Sequence, residues 1–168
     1  MEATTQRPLL IAVSTAFFPF VGGAEIALEE VCARLPAYDR VVVTARMSSK
    51  LPRRETRRGC TILRVGFGFF GDKLLLPFGA AWHAWKLGRR RERVVLLSVM
   101  ISYGTFGLLF ASRQITHAKL FVWLQEGDSE EHLQSGKFGL VAIGWKIVLP
   151  RAHVAALSGT SLASTLGG

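Results

Sequence analysis

Ser14-Thr15-Ala16-Phe17-Phe18-Pro19-Phe20-Val21-Gly22-Gly23-Ala24-Glu25 is the stretch on which the reading of this chain turns. Before it runs an apolar segment, Leu9–Val13, which reads as a buried strand. After it, apolar residues recur at Ala24, Ala27, Leu28, Val31 and Leu35, the spacing of one helix face. A pair of glycines therefore stands between a strand and a helix N-terminus. Glycine lets the backbone come close to a ligand because no Cβ intervenes. The first turn of a helix offers unpaired N–H groups and the positive end of its dipole, which suits a phosphate. The functional reading is an anion-binding turn. The plainer one is a turn that only reverses the chain, and two glycines alone do not separate the two.

Outward from that turn, strands and helices alternate. Residues 41–45, 60–65, 94–99, 119–124 and 154–157 are apolar runs with strand character. Residues 73–87 read as a helix with Phe78, Trp82 and Trp85 at helical spacing, a stripe expected to face the core. Residues 106–111 and 138–149 read as further helices, and 158–168 as the start of another. Residues 47–59 read as a surface loop, with Arg53, Arg54, Arg57 and Arg58 as a solvated edge. Gly66-Phe67-Gly68-Phe69-Phe70-Gly71 sets exposed aromatics between glycines. Such alternation implies one α/β domain over residues 1–168, a parallel sheet covered on both faces. Ligands then bind beyond the carboxyl ends of the strands. That rule selects residues 14–23, 66–70, 98–105, 125–128 and Ser158, with the acidic patch Gln125-Glu126-Gly127-Asp128-Ser129-Glu130-Glu131-His132 on the edge shared with Gly22-Gly23.

Composition narrows the partners. The chain has 21 Lys and Arg against 12 Asp and Glu, a net charge of +9, so anionic partners are favoured. A hydrophobic content of 49% excludes a disordered chain. Cys32 and Cys60 have neither metal-ligand spacing nor a disulfide framework, so a reducing, cytoplasmic setting and no metal site are expected. Residues 7–20 resemble a secretion signal in charge and hydropathy, but Glu2 precedes them and Pro19 interrupts them. Residues 94–112 are uncharged and could just span a bilayer, yet they divide into a β-rich run, a Ser102-Tyr103-Gly104-Thr105 turn and a short helix. A buried strand and helix is the expectation. The arginines fall in two loops and no nucleic-acid-binding motif occurs, so no nucleic acid partner is expected.

Phe18-Pro19-Phe20-Val21-Gly22-Gly23-Ala24-Glu25 after an N-terminal strand resembles the P-x-x-G-G-x-E turn of family 4-type glycosyltransferases, which are two-domain GT-B enzymes. The similarity runs over nearly the whole chain as their N-terminal, acceptor-side domain. It includes residues 98–103, the loop at Gln125, and Ala156-Leu157-Ser158. The resemblance implies a Rossmann-like N-terminal half of a GT-B fold that transfers a hexose from a nucleotide sugar to a lipid-linked or glycan acceptor, without a further cofactor. In it Gly22 and Gly23 would approach the donor phosphates, and Ser102, Tyr103 and Gln125 would shape the acceptor pocket. Asp128 and Glu126 would orient the acceptor hydroxyl as catalytic carboxylates. Many relatives carry a His where this chain has Gln125-Glu126-Gly127-Asp128, so the role of that His does not carry over. No paired-glutamate motif of the donor-binding domain occurs, and a C-terminal domain or partner chain is expected to supply that half. Residues 53–58, the 89–93 cluster and Phe67, Phe69 and Phe70 suggest peripheral docking at the inner face of an anionic membrane. The competing class is a non-enzymatic basic module that binds anionic lipid or nucleic acid.

Overall fold

The computed structural model describes residues 6–20, 22–124 and 153–156. Leu9–Val13 is β1, and its buried run leads through the glycine loop into α1, Gly23–Arg34. Three strands follow, β2 (Asp39–Ala45), β3 (Arg54–Arg57) and β4 (Cys60–Val65). A 3-10 turn, Phe70–Leu74, precedes α2, Leu76–Gly88. Then come β5 (Val94–Val99), α3 (Tyr103–Gln114), β6 (Ala118–Leu124) and β7 (His153–Ala156). The strands form one seven-stranded sheet in the order β3-β4-β2-β1-β5-β6-β7. Every pairing is parallel except β3 with β4. This is the expected α/β, Rossmann-like architecture.

Alternation along β1 explains the two layers. Leu10 and Ala12 join Val42, Leu97 and Trp123 beneath Leu28, Val31 and Cys32 of α1. Leu9, Ile11 and Val13 point the other way, against Leu76 and Ala80 of α2 and Leu108 and Ala111 of α3. A central parallel strand buries both faces, so its sequence is apolar without a break. Each such side chain contributes about 1.5–3 kcal/mol when fully buried. Cys32 and Cys60 are free thiols within the α1 layer. A hydrogen bond with Cys60, together with burial, pushes the Cys32 thiol up. Residues 94–112 divide into strand and helix as expected, though Tyr103, Gly104 and Thr105 of the expected turn are the first residues of α3, which continues to Gln114. Among the described residues no helix is long and apolar enough to cross a membrane.

Three expectations change. Residues 47–59 are not all loop, because Arg54–Arg57 pairs antiparallel with β4 as an edge strand. Its residues are polar throughout, so no apolar alternation marks it. Arg53, Arg54 and Arg58 are exposed as expected, but the edge is also tied to α1: Arg57 lies 2.7 Å from Glu29 and Arg58 lies 3.0 Å from Glu30. The predicted 73–87 helix is split at Leu75, with Pro77 in the first turn of α2, where its missing N–H costs nothing.

The third change concerns the aromatic stripe. Leu76, Ala80, Ala84 and Gly88 face the core instead, while Phe78 and Trp82 are 75% and 56% exposed. The cause is close helix packing. A Cβ on Gly107 of α3 would fall 2.1 Å from the Pro77 carbonyl oxygen, so no large side chain fits between the helices. The helix predicted over 138–149, the acidic patch and the segment from Ser158 onward lie outside the described residues.

Candidate active site at the switch point

Strand order reverses between β1 and β5. From β1 the chain crosses through α1 to β2 on one side; from β5 it crosses through α3 to β6 on the other. Helices α1 and α3 cover opposite faces, so their N-termini splay apart and open a crevice at the carboxyl ends of the two strands. Val13 pairs in register with Ser98 at that edge. A Cβ on Gly104 would fall 2.0 Å from Val13 Cγ1, so the first turn of α3 sits against the end of β1. Gly22 and Gly23 thus flank the same edge as Ser102 and Tyr103. Gln125, Glu126 and Asp128 lie outside the described residues.

Within the glycine loop, the Gly22 N–H donates to Glu25 Oε2 at 2.8 Å, and Ser14 Oγ donates to Glu25 Oε1 at 3.3 Å. Gly22 has φ −120, extended backbone that any residue adopts, and Gly23 is absent from the positive-φ glycines. Backbone conformation therefore does not demand either glycine. Space distinguishes them. A Cβ on Gly22 would meet Glu25 Oε2 at 3.1 Å, whereas one on Gly23 would meet nothing within 4 Å. The amide of Gly22 is already engaged, so the open approach lies over Gly23 and the N-terminal end of α1.

The far side of the loop is held by residues that the sequence reading passed over. Arg64, 3% exposed on β4, donates from Nη2 to the Phe18 carbonyl at 2.6 Å. The same nitrogen lies 2.7 Å from Glu55 Oε1, and Nη1 donates to the Pro52 carbonyl at 3.2 Å. The Arg57 guanidinium stacks 3.6 Å over the Phe18 ring. One signal was visible: an arginine at a core-facing register of the run Cys60-Thr61-Ile62-Leu63-Arg64-Val65. Arg64→Ala is expected to cost about 3 kcal/mol, because it strands the Glu55 carboxylate and frees the loop carbonyl. Urea denaturation reads this directly, and a change below about 0.5 kcal/mol would remove Arg64 from the support of the loop.

At the β5 end, Ser98 Oγ and Thr105 Oγ1 lie 2.7 Å apart, and Thr105 Oγ1 accepts the Ser102 N–H at 2.8 Å. Ser98 Oγ also donates to the Met100 carbonyl at 3.0 Å. These bonds hold Met100 at φ 61, a left-handed conformation that costs a non-glycine residue about 1 kcal/mol or more. The Ser102 hydroxyl is buried and has no hydrogen-bond partner among the described residues. A hydroxyl in that state gains from any ligand group that reaches it.

After β4, the Asp72 carboxylate accepts the amides of Phe67, Gly68 and Phe69 at 2.9, 2.6 and 3.1 Å. Burial opposes its charge, but these amides prevail and hold the carboxyl below its ordinary value. Gly66 and Gly68 take φ of +112 and +102, and a Cβ on Gly66 would fall 2.1 Å from Asp72 Cγ. The concavity is therefore filled by the chain's own carboxylate. Phe67, Phe69 and Phe70 are exposed on its rim, as expected. Among the described residues no group of His, Cys, Asp and Glu could hold a metal ion.

The strand order and the helices on both faces define an α/β, Rossmann-like domain. Among solved structures, a sucrose-phosphate synthase from Thermosynechococcus elongatus is similar, with a TM-score of 0.69 and 15% sequence identity over 96% of this chain. The chain covers 45% of that protein's length, and likeness at this identity is a likeness of fold. No family model and no curated protein matches the sequence.

Proposed function

We propose that this chain is the acceptor-side, N-terminal domain of a GT-B glycosyltransferase of the family 4 type, moving a hexose from a nucleotide sugar to a lipid-linked or glycan acceptor. The observation that supports this is one of placement. The Gly22-Gly23 turn and the Ser102 loop flank the switch point of a sheet whose fold is similar to that of a sucrose-phosphate synthase. Transfer leaves a nucleoside diphosphate, whose charge must be met by preorganised donors. The space over Gly23, at the positive end of the α1 dipole, admits those phosphates. The unpartnered Ser102 hydroxyl, the neighbouring Tyr103 and Gln125 would meet acceptor hydroxyls. Glu126 or Asp128 would orient the attacking oxygen. A second domain or a partner chain closes the cleft and holds the nucleotide.

The test is transfer by the protein together with its donor-binding half, against a panel of nucleotide sugars with glycan and polyprenyl-phosphate acceptors. Ser102→Ala is expected to raise the acceptor KM about tenfold, the cost of one lost hydrogen bond, and to leave donor affinity unchanged. Failure of every nucleotide sugar to bind would remove the transferase reading.

A further inference from the structure

The outer face of α2 and α3 carries an apolar groove of about 710 Å³ that the candidate active site does not use. Phe78, Trp82, Trp85, Phe106 and Phe110 line it. Phe78, Trp82 and Phe110 are 75%, 56% and 58% exposed, far more aromatic surface than a solvent-facing helix pair needs. Charge on this face has one sign. Neither α2 nor α3 contains a single Asp or Glu. Lys86 lies in the last turn of α2, Arg89 stacks 4.4 Å over the Trp85 ring, Arg90 follows it, and Arg113 lies in the last turn of α3. None of these four cations forms an ion pair among the described residues. Away from this face, Arg57, Arg58, Arg64 and Arg91 each meet a carboxylate.

We propose that this α2–α3 face is a docking surface for an anionic lipid bilayer. Aromatic side chains with an apolar body settle at the headgroup boundary, and unpaired Lys and Arg beside them meet acidic headgroups. A second copy of the chain fits poorly, because a two-fold contact would bring two cationic rims together with no carboxylate on either helix to offset them. The surface shares Arg89 and Arg90 with the docking cluster expected from the sequence. It leaves out Phe67, Phe69 and Phe70 and residues 53–58, where Arg57 and Arg58 are already engaged with α1. It also stands independently of the transferase reading, since it uses no residue of the switch point.

Co-sedimentation with phosphatidylcholine vesicles, with and without phosphatidylglycerol, tests it. Binding is expected only with the anionic lipid and should fall as salt is added. Arg89→Glu/Arg90→Glu should weaken partition at least about tenfold, since each basic residue contributes comparably at such a surface. Phe78→Ser/Trp82→Ser should weaken it at unchanged charge, and both pairs lie at exposed positions where folding is not at stake. A polarity-sensitive dye on Phe78→Cys should shift to the blue only when anionic vesicles are present. Three results would each overturn the proposal: undiminished binding by both double variants, a dye already shielded in the lipid-free protein, or a concentration-dependent dimer that the aromatic changes dissolve.

Discussion

Gly23→Val is expected to lower transfer about 100-fold or more while the protein keeps its fold, the scale seen when a preorganised contact to developing charge is lost. The separation of the two effects is unusual for a glycine. Its backbone is not in the left-handed region, and a Cβ there meets nothing within 4 Å, so the substitution strains nothing in the free protein. As the first residue of α1, a valine also lowers the entropy lost on folding relative to glycine. Any fall in rate must then come from the side chain occupying the ligand's space. Gly22→Val is a less clean probe, because its Cβ would crowd Glu25 Oε2 at 3.1 Å and disturb the capping bond. The measurements are kcat/KM with a nucleotide sugar and the melting temperature of both proteins. Wild-type donor affinity and rate in the Gly23→Val protein, assayed with its donor-binding half, would make the turn a chain reversal only, and the transferase reading would rest on fold likeness alone.

The parts of this fold that were legible are those governed by local pattern. Leu9–Val13 and Val94–Val99 match the structure to the residue because buried parallel strands read as near-continuous apolar runs, and Cys60–Val65 matches through its β-branched and apolar residues despite Thr61 and Arg64. The glycine turn was legible as a position, but its support was not. Arg64 reaches the Phe18 carbonyl across 46 residues of chain, and no periodicity within either segment announces that bond. The edge strand β3 escaped for a related reason. Its register is set by pairing with β4 and by the Glu55–Arg64 ion pair, not by its own hydrophobicity. The Phe78 and Trp82 stripe misled because helical spacing fixes which residues share a face and says nothing of which face is inward. That choice was made by Gly107 and the small residues of α2, which allow an approach too close for aromatic rings.

Asp72→Asn should destabilise the protein by about 3 kcal/mol or more, since a buried anion that accepts several amides contributes on the charge-assisted scale. Asparagine has nearly the same shape but only one acceptor oxygen, and its NH₂ would face N–H groups that have no other partner in the turn. The amides of Phe67, Gly68 and Phe69 converge on this carboxylate, and Gly66 and Gly68 hold positive φ to let them do so. For a domain of this size the loss corresponds to a melting temperature lower by roughly 10 °C. The pH dependence supplies the sign. The folded carboxyl titrates below its ordinary value of 3.8, so its contribution is fully present above that value and is lost as pH falls through the folded pKa. The gap in melting temperature between wild type and Asp72→Asn should therefore stay constant from neutrality down to about pH 5 and close below 3.8. Comparing the two proteins cancels the titration of every other carboxylate that does not touch this turn. A gap that is small at neutrality, or that persists unchanged into strong acid, would mean that the amides of the turn are held by something other than the Asp72 charge.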